Sequence, residues 1–227
     1  MLTSPHLARL PRILHGFGTR HDDMAAHFPE LWPVRPVQHE RHGTRIAIVG
    51  HQREDAGEAD GMLTDRPGLL LAIATADCVP LLLARRDGRE VAALHVGWRG
   101  AQAGIVARFA ELVRERGGAP GDWVAAIGPA AHPCCYEVSA ELVEDFRARV
   151  ALAPELVAPG PRRIDLPAIV RWQVAQAGIA DVSASPACTM CAADADDRHV
   201  FHSYRRDRET RTPVVDVQWS VVAIAPR

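Results

Sequence analysis

The stretch PLLLARRDGREVAALHV constrains this chain more than any other. Two apolar runs, 80–84 and 90–96, flank the Asp87-Gly88 pair, a strong signal for a tight hairpin turn. A third run, LLLAIAT at 69–75, precedes them and ends shortly before Cys78. Pro80 holds Val79 in extended geometry and so fixes the angle at which the neighbouring thiol leaves the strand. If 80–84 pairs with 90–96 across the turn, the residue before Pro80 lies beside His95. Cys78 and His95 then become neighbours at one sheet edge.

The rest of the chain fits around that hairpin. TRIAIVG reads as a strand, EADGMLTDRPG as turns through Asp60-Gly61 and Pro67-Gly68, and PELWPVRPVQHERHG as a rigid surface connection. After Gly100, Ile105, Phe109, Leu112 and Val113 recur at helical spacing, and the pattern stops at Gly117-Gly118. WVAAIGP is a further strand. Ser139 and Asp165 cap two more helices, the second ending at Gly178, and TPVVDVQWSVVAI reads as a terminal strand buried in a sheet. Strands clustered before helices predict an α+β fold with a mixed sheet, organised as one domain over 1–227.

Composition narrows the function. The chain is 48% hydrophobic with a formal net charge of −2, which excludes the disordered class and gives no broad basic field for nucleic acid. No run has the length or flanks of a membrane span or secretory signal, so a cytoplasmic protein acting on small molecules, with no nucleic-acid or membrane partner, is expected. The oligomeric state is not encoded legibly; a monomer is the expectation. Cys78, Cys134, Cys135, Cys188 and Cys191 are odd in number, which favours free thiols or metal ligands over disulfides.

A cysteine or histidine alone is an ordinary core residue, but two metal-competent groups meeting at a strand edge point to chemistry. His42, next to Gly43 and just ahead of a strand, is a third candidate, with His39, His51, His132, His199 and His202 as competitors. A Cys-His-His set suits zinc and leaves a fourth position for water or substrate. In GWRG, Arg99 offers a fork of donors to a phosphate or carboxylate; Gly97 and Gly100 would let a ligand approach the main chain, and the following helix would aim free N–H groups at the same place. Asp77 is a candidate acid/base or orienting carboxylate, and Tyr204, Arg205 and Arg206 are candidates for substrate contact. Trp98 reads as packing or a pocket wall, and Phe146 and Trp172 as core. Adjacent Cys134-Cys135 cannot readily share one ion and CTMC lacks a second such pair, so those four cysteines are expected to pack in the core.

Taken in order, HGFGTR, HGT, ADGMLTDRPG, TADCVPLLL, ALHVGWRGAQAGI, IGPAAHPCCYEV, DLPAIVRWQVAQAGI, CTMC and FHSYRRD resemble the motifs of the YfiH-like laccase-domain family from Leu14 onward. That family is described variously as polyphenol oxidase, purine nucleoside phosphorylase and peptidoglycan editing factor. The resemblance implies an α/β sandwich related to cysteine hydrolases and a catalytic zinc on His42, Cys78 and His95, with copper as the other metal. It also implies phosphorolysis of adenosine, inosine and methylthioadenosine, with adenosine deamination as a second activity. This chain departs from the pattern in a short segment before His42, in ERHG for QVHG, in Ala130 and in His202. The metal set therefore matches the family while the substrate-facing wall differs.

The leading expectation is a zinc-dependent enzyme that binds nucleoside and phosphate, with Cys78, His95, Arg99 and Asp77 as catalytic candidates and Arg99, Tyr204 and Arg205 as substrate contacts. The alternative is an amidase that removes L-serine from a muropeptide precursor through a Cys78-His95 dyad. A copper polyphenol oxidase ranks lower, because one Cys-His-His cluster does not supply the several centres needed for four-electron oxygen reduction. A non-catalytic ligand or metal binder is the remaining reading.

Overall fold

A computed structural model describes residues 1–210, 212 and 215–226. Among these the strands are β1 (Ile13–Phe17), β2 (Val37–His39), β3 (Ile46–Ile48), β4 (Asp55–Glu58), β5 (Gly61–Thr64), β6 (Leu71–Thr75), β7 (Val79–Arg85), β8 (Val91–Val96), β9 (Trp123–Ile127), β10 (Asp181–Ala184) and β11 (Gln218–Ile224). The helices are α1 (Met24–His27), α2 (Trp98–Ala103), α3 (Ile105–Glu115), α4 (Ala140–Arg149), α5 (Pro154–Val157) and α6 (Leu166–Gln176).

Strands β7, β8 and β9 are apolar at nearly every position because both of their faces are covered. They form the middle of a six-stranded sheet of order β10-β9-β7-β8-β5-β3, parallel at its two edge pairs and antiparallel between. On one face Leu81, Leu83, Leu94 and Ile127 pack against Phe109 of α3 and Ile169 of α6. On the other, Met62, Leu82, Ala93 and Val124 meet Leu71, Ile73, Val222 and Ile224 of a three-stranded antiparallel sheet of order β1-β11-β6. The outer face of that smaller sheet, Leu70, Ala72, Val221 and Ala223, is covered by Met24 and Leu31 from the amino-terminal segment. The fold is thus a mixed α/β sandwich, and β2 and β4 form a separate parallel pair at its margin.

The Asp87-Gly88 hairpin forms as expected, with Gly88 at φ +70°. Ser139 accepts a hydrogen bond from the Leu142 amide and Asp165 from the Ala168 amide, so both expected caps are in place. Three expectations need correction. Residues 61–64 are a buried strand rather than a turn, and Gly61 is small because a Cβ there would lie 2.5 Å from Leu94 Cδ2 on the paired strand. The helix expected after Gly100 begins earlier, at Trp98, and is interrupted by left-handed Gly104 before α3. The surface connection expected at 29–43 contains β2. In the terminal segment 212–224 the strand is Gln218–Ile224, and residues 213 and 214 lie outside the described residues. No helix among the described residues is long and apolar enough to cross a membrane.

Phe109 is fully buried and packs edge-to-face on Trp123, with centroids 5.0 Å apart. Phe109→Ala should therefore lower stability by about 3–5 kcal/mol, read as a fall in denaturation midpoint with an unchanged m-value.

Candidate metal centre and cleft

The register of the central hairpin builds the site. Val79 pairs with Val96 and Pro80 with His95, so Cys78, one residue before β7, sits beside the imidazole at the end of β8. Asp77, at φ +87°, turns the chain into that position, and its main-chain oxygen accepts from the Ala131 amide. His42 arrives from the loop between β2 and β3, itself in left-handed geometry at φ +61°. The donor atoms of His42, Cys78 and His95 lie within 4.8 Å of one another, and the two imidazoles meet at 74°. His39, His51, His132, His199 and His202 stay outside the cluster.

Gly97 makes this convergence possible. A Cβ there would fall 2.7 Å from the His42 ring and 3.2 Å from Cys78 Sγ. Gly100 similarly clears the Gly43 carbonyl, which a Cβ would meet at 3.0 Å. The glycines of GWRG therefore make room for the protein's own His42 loop, not for a ligand at the main chain as the sequence suggested.

Asp60, absent from the candidates drawn from sequence, organises the set. Its carboxylate accepts from the consecutive amides of Arg41, His42 and Gly43 and contacts His95 Nδ1 at 3.0 Å. With Nδ1 engaged there, His95 presents Nε2 to the cluster. Burial would push the Asp60 carboxyl up, but His95 and the three amides hold it at about 2. Glu40 adds a second carboxylate 3.8 Å from the same Nδ1. Burial would likewise lower the basicity of His95, yet the Cys78 thiolate, Glu40 and Asp60 together raise it well above the ordinary imidazole value. For Cys78 the enclosure pushes upward and is outweighed by the charge on His95 and hydrogen bonding with His42 and His95, which bring the thiol down to about 7. A thiolate and two imidazoles suit one borderline-soft divalent ion, and three protein donors leave a fourth position for a ligand. The cluster can hold such an ion.

These residues form one wall of a cleft of about 800 Å³. Arg99 lines it with its guanidinium 4.2 Å above the Trp98 ring. Tyr136, Tyr204 and Arg205 line the same cleft. Asp77 also reaches the cleft, but its carboxylate is engaged by Thr189 Oγ1 at 2.8 Å, Ser203 Oγ at 3.0 Å and the Arg205 amide at 2.7 Å. Arg206 is turned inward, donating to the carbonyls of Thr189, Met190 and Phe201. The short segment before His42 also lines the cleft, together with Ala72, Ala74 and Trp219, and its Arg35 stacks 3.6 Å from the Trp32 centroid. The signal in sequence is the Trp32–Arg35 pair within WPVRP, a stretch that reads equally as a surface connection.

The other four cysteines do not pack in the core as expected. Cys188 is buried, but Cys134 and Cys191 are exposed, and all four sulfurs lie within 4.8 Å of one another. The adjacency of Cys134 and Cys135 does not keep them apart from CTMC, because Ala130 bridges directly to Cys188 and brings the two loops together.

A mixed α/β sandwich with a Cys-His-His cluster in its cleft defines a laccase-like class of protein. The chain belongs to the family described as multi-copper polyphenol oxidoreductase laccase, whose profile matches residues 28–219. Among its relatives, a purine nucleoside phosphorylase of Streptomyces coelicolor is 35% identical over 198 residues, covering 86% of this chain and 79% of the relative. A purine nucleoside phosphorylase of Mycobacterium tuberculosis is 35% identical over 170 residues, and there the match spans 66% of the relative's length. The structure of YlmD from Geobacillus stearothermophilus superposes with a TM-score of 0.82 at 26% identity, covering 98% of this chain and 94% of that one. The YfiH protein of Bacillus licheniformis does so with a TM-score of 0.80 at 25% identity, over 93% and 92% of the two chains.

In chelator-treated protein the thiolate fraction of Cys78 should rise with pH through a midpoint of about 7, read from the alkylation rate of that residue. His95→Ala removes the largest opposing charge and should move the midpoint up toward the ordinary cysteine value of about 8.5.

Proposed function

We propose that the chain is a zinc-dependent purine nucleoside phosphorylase acting on adenosine, inosine and methylthioadenosine, with adenosine deamination as a second reaction. The observation that carries this reading is that Arg99 and the His42-Cys78-His95 cluster line one cleft large enough for a nucleoside. The names of the relatives support the same substrate class.

His42, Cys78 and His95 would hold the zinc, which when bound supplies Lewis-acid polarisation to a ligand in its fourth position. Everything else comes from the chain. In phosphorolysis the bond from C1′ to the purine nitrogen breaks, a phosphate oxygen bonds to C1′, and the departing base takes a proton. Arg99 binds the phosphate and offsets its charge as the bond forms, its guanidinium held over the Trp98 ring. Tyr136 stays a phenol at neutral pH, since burial and the nearby Cys78 push it up to about 12, and offers the cleft a donor and an aromatic face for the purine. Asp60 holds His95 in the tautomer that faces the cluster. Asp77, with both oxygens already engaged, acts as a positioning residue for the Ser203–Arg205 segment rather than a proton carrier.

The lowered Cys78 thiol beside His95 also favours a second reading, an amidase in which the metal-free thiolate attacks a seryl amide and His95 protonates the leaving amine.

Zinc-loaded protein supplied with inosine and phosphate should release hypoxanthine and ribose 1-phosphate, and with adenosine alone should release ammonia. Arg99→Gln should lower kcat/KM for phosphorolysis by about 10²–10³-fold. Absence of both free base and ammonia from fully loaded wild-type protein overturns the reading. Serine release from a muropeptide by metal-free protein would assign the cleft to the amidase.

A further inference from the structure

We propose that Cys134, Cys135, Cys188 and Cys191 form a second metal site, a closed tetrathiolate centre for a zinc-class divalent ion that fastens the loop leading to the cleft residue Tyr136 to the loop that follows β10. The four sulfurs come from two turns distant in sequence. In the first, the amides of Cys135 and Tyr136 both donate to the His132 carbonyl; in the second, the Ala192 amide donates to the Cys188 carbonyl. The turns are joined by the Ala130–Cys188 bridge, by the Thr189 amide on the Ala130 carbonyl, and by the His132 amide 3.5 Å from Cys188 Sγ. An amide directed at a sulfur suits a metal-bound thiolate.

The spacing selects a metal over the other roles for clustered thiols. At a Zn–S distance of about 2.3 Å, the edge of a tetrahedron is about 3.8 Å. Cys134 and Cys191 sulfurs stand 3.7 Å apart, and all four lie within 4.8 Å of one another. A disulfide needs about 2.05 Å, and all four are free thiols. Hydrophobic packing fails as an explanation because Cys134 and Cys191 face solvent. With four protein donors there is no open position, so this centre is structural where the cleft cluster is not.

Its reach into the cleft is direct. Tyr136 follows Cys135, and Thr189, next to Cys188, donates to Asp77 one residue from Cys78. Loss of the ion should therefore loosen the wall that carries Tyr136 and Arg205.

The test is metal content of the full chain, purified under reducing conditions from zinc-supplemented cells. A variant lacking the cleft donors (His42→Ala, Cys78→Ala, His95→Ala) should retain one zinc per chain, and its cobalt form should show the intense thiolate-to-cobalt charge transfer of four sulfur ligands. Cys188→Ser with Cys191→Ser should lose that ion and raise KM for substrate several-fold. Should this pair fail to fold, the cobalt spectrum of the cleft-donor variant still decides. A metal-free cleft-donor variant whose four thiols alkylate freely in the native state overturns the proposal, as does a Cys134–Cys191 disulfide in anaerobically handled protein. Neither result bears on whether the cleft itself binds zinc, which the wild-type content reports separately.

Discussion

The buried carboxylate of Asp60 is the interaction on which the rest of this molecule's chemistry depends. It is only 1% exposed, and such a charge is tolerated in a protein interior only when its lone pairs are filled. Three successive amides and one imidazole fill them, so one side chain fixes both the loop carrying His42 and the ring of His95. The main chain repeats the link, since the Asp60 carbonyl accepts from the His95 amide and the Asp60 amide donates to Arg45. Because the folded-state value of about 2 lies below the ordinary 3.8, its stabilising contribution is complete above the latter and fades as pH falls toward the former. Near neutrality the anchor is fully charged.

The parts of this design written in local sequence were legible there. An Asp-Gly turn between two apolar runs fixes an antiparallel register without outside help, and that register alone brings Cys78 to His95. Ser139 and Asp165 could likewise be read as caps, because a cap and the amide it accepts from lie within one turn. His42 was harder: its place beside Gly43 ahead of a strand sets it only slightly apart from the competing histidines, and the resemblance to a family singles it out.

What stayed hidden is long-range. The strand at 61–64 follows an Asp-Gly pair that ordinarily signals a turn, and only the packing of Leu94 against Gly61 explains the glycine. The role of Asp60 depends on amides about eighteen residues earlier in the chain and an imidazole thirty-five residues later. The cysteine cluster arises from a bridge between loops that follow β9 and β10, the parallel edge pair of the main sheet. Neither turn announces the other, and two adjacent cysteines argued against a shared role until the geometry placed them together. Asp77 joins these separate stories: its backbone positions Cys78 while its carboxylate gathers Thr189, Ser203 and Arg205, so the Cys78 thiol and the distant loops share one fixed point.

The position of β11 between β1 and β6 has a consequence for biosynthesis. Both flanking strands leave the ribosome long before the strand that must separate them, so the smaller sheet cannot close until β11 has emerged. During that interval Leu71 and Ile73 have no lateral partner, and the inner face of the larger sheet lacks the cover that Val222 and Ile224 supply. Until β11 inserts, the free edge of β6 and the uncovered apolar face are open to off-pathway association, so insertion of that one strand is the step that ends the exposure.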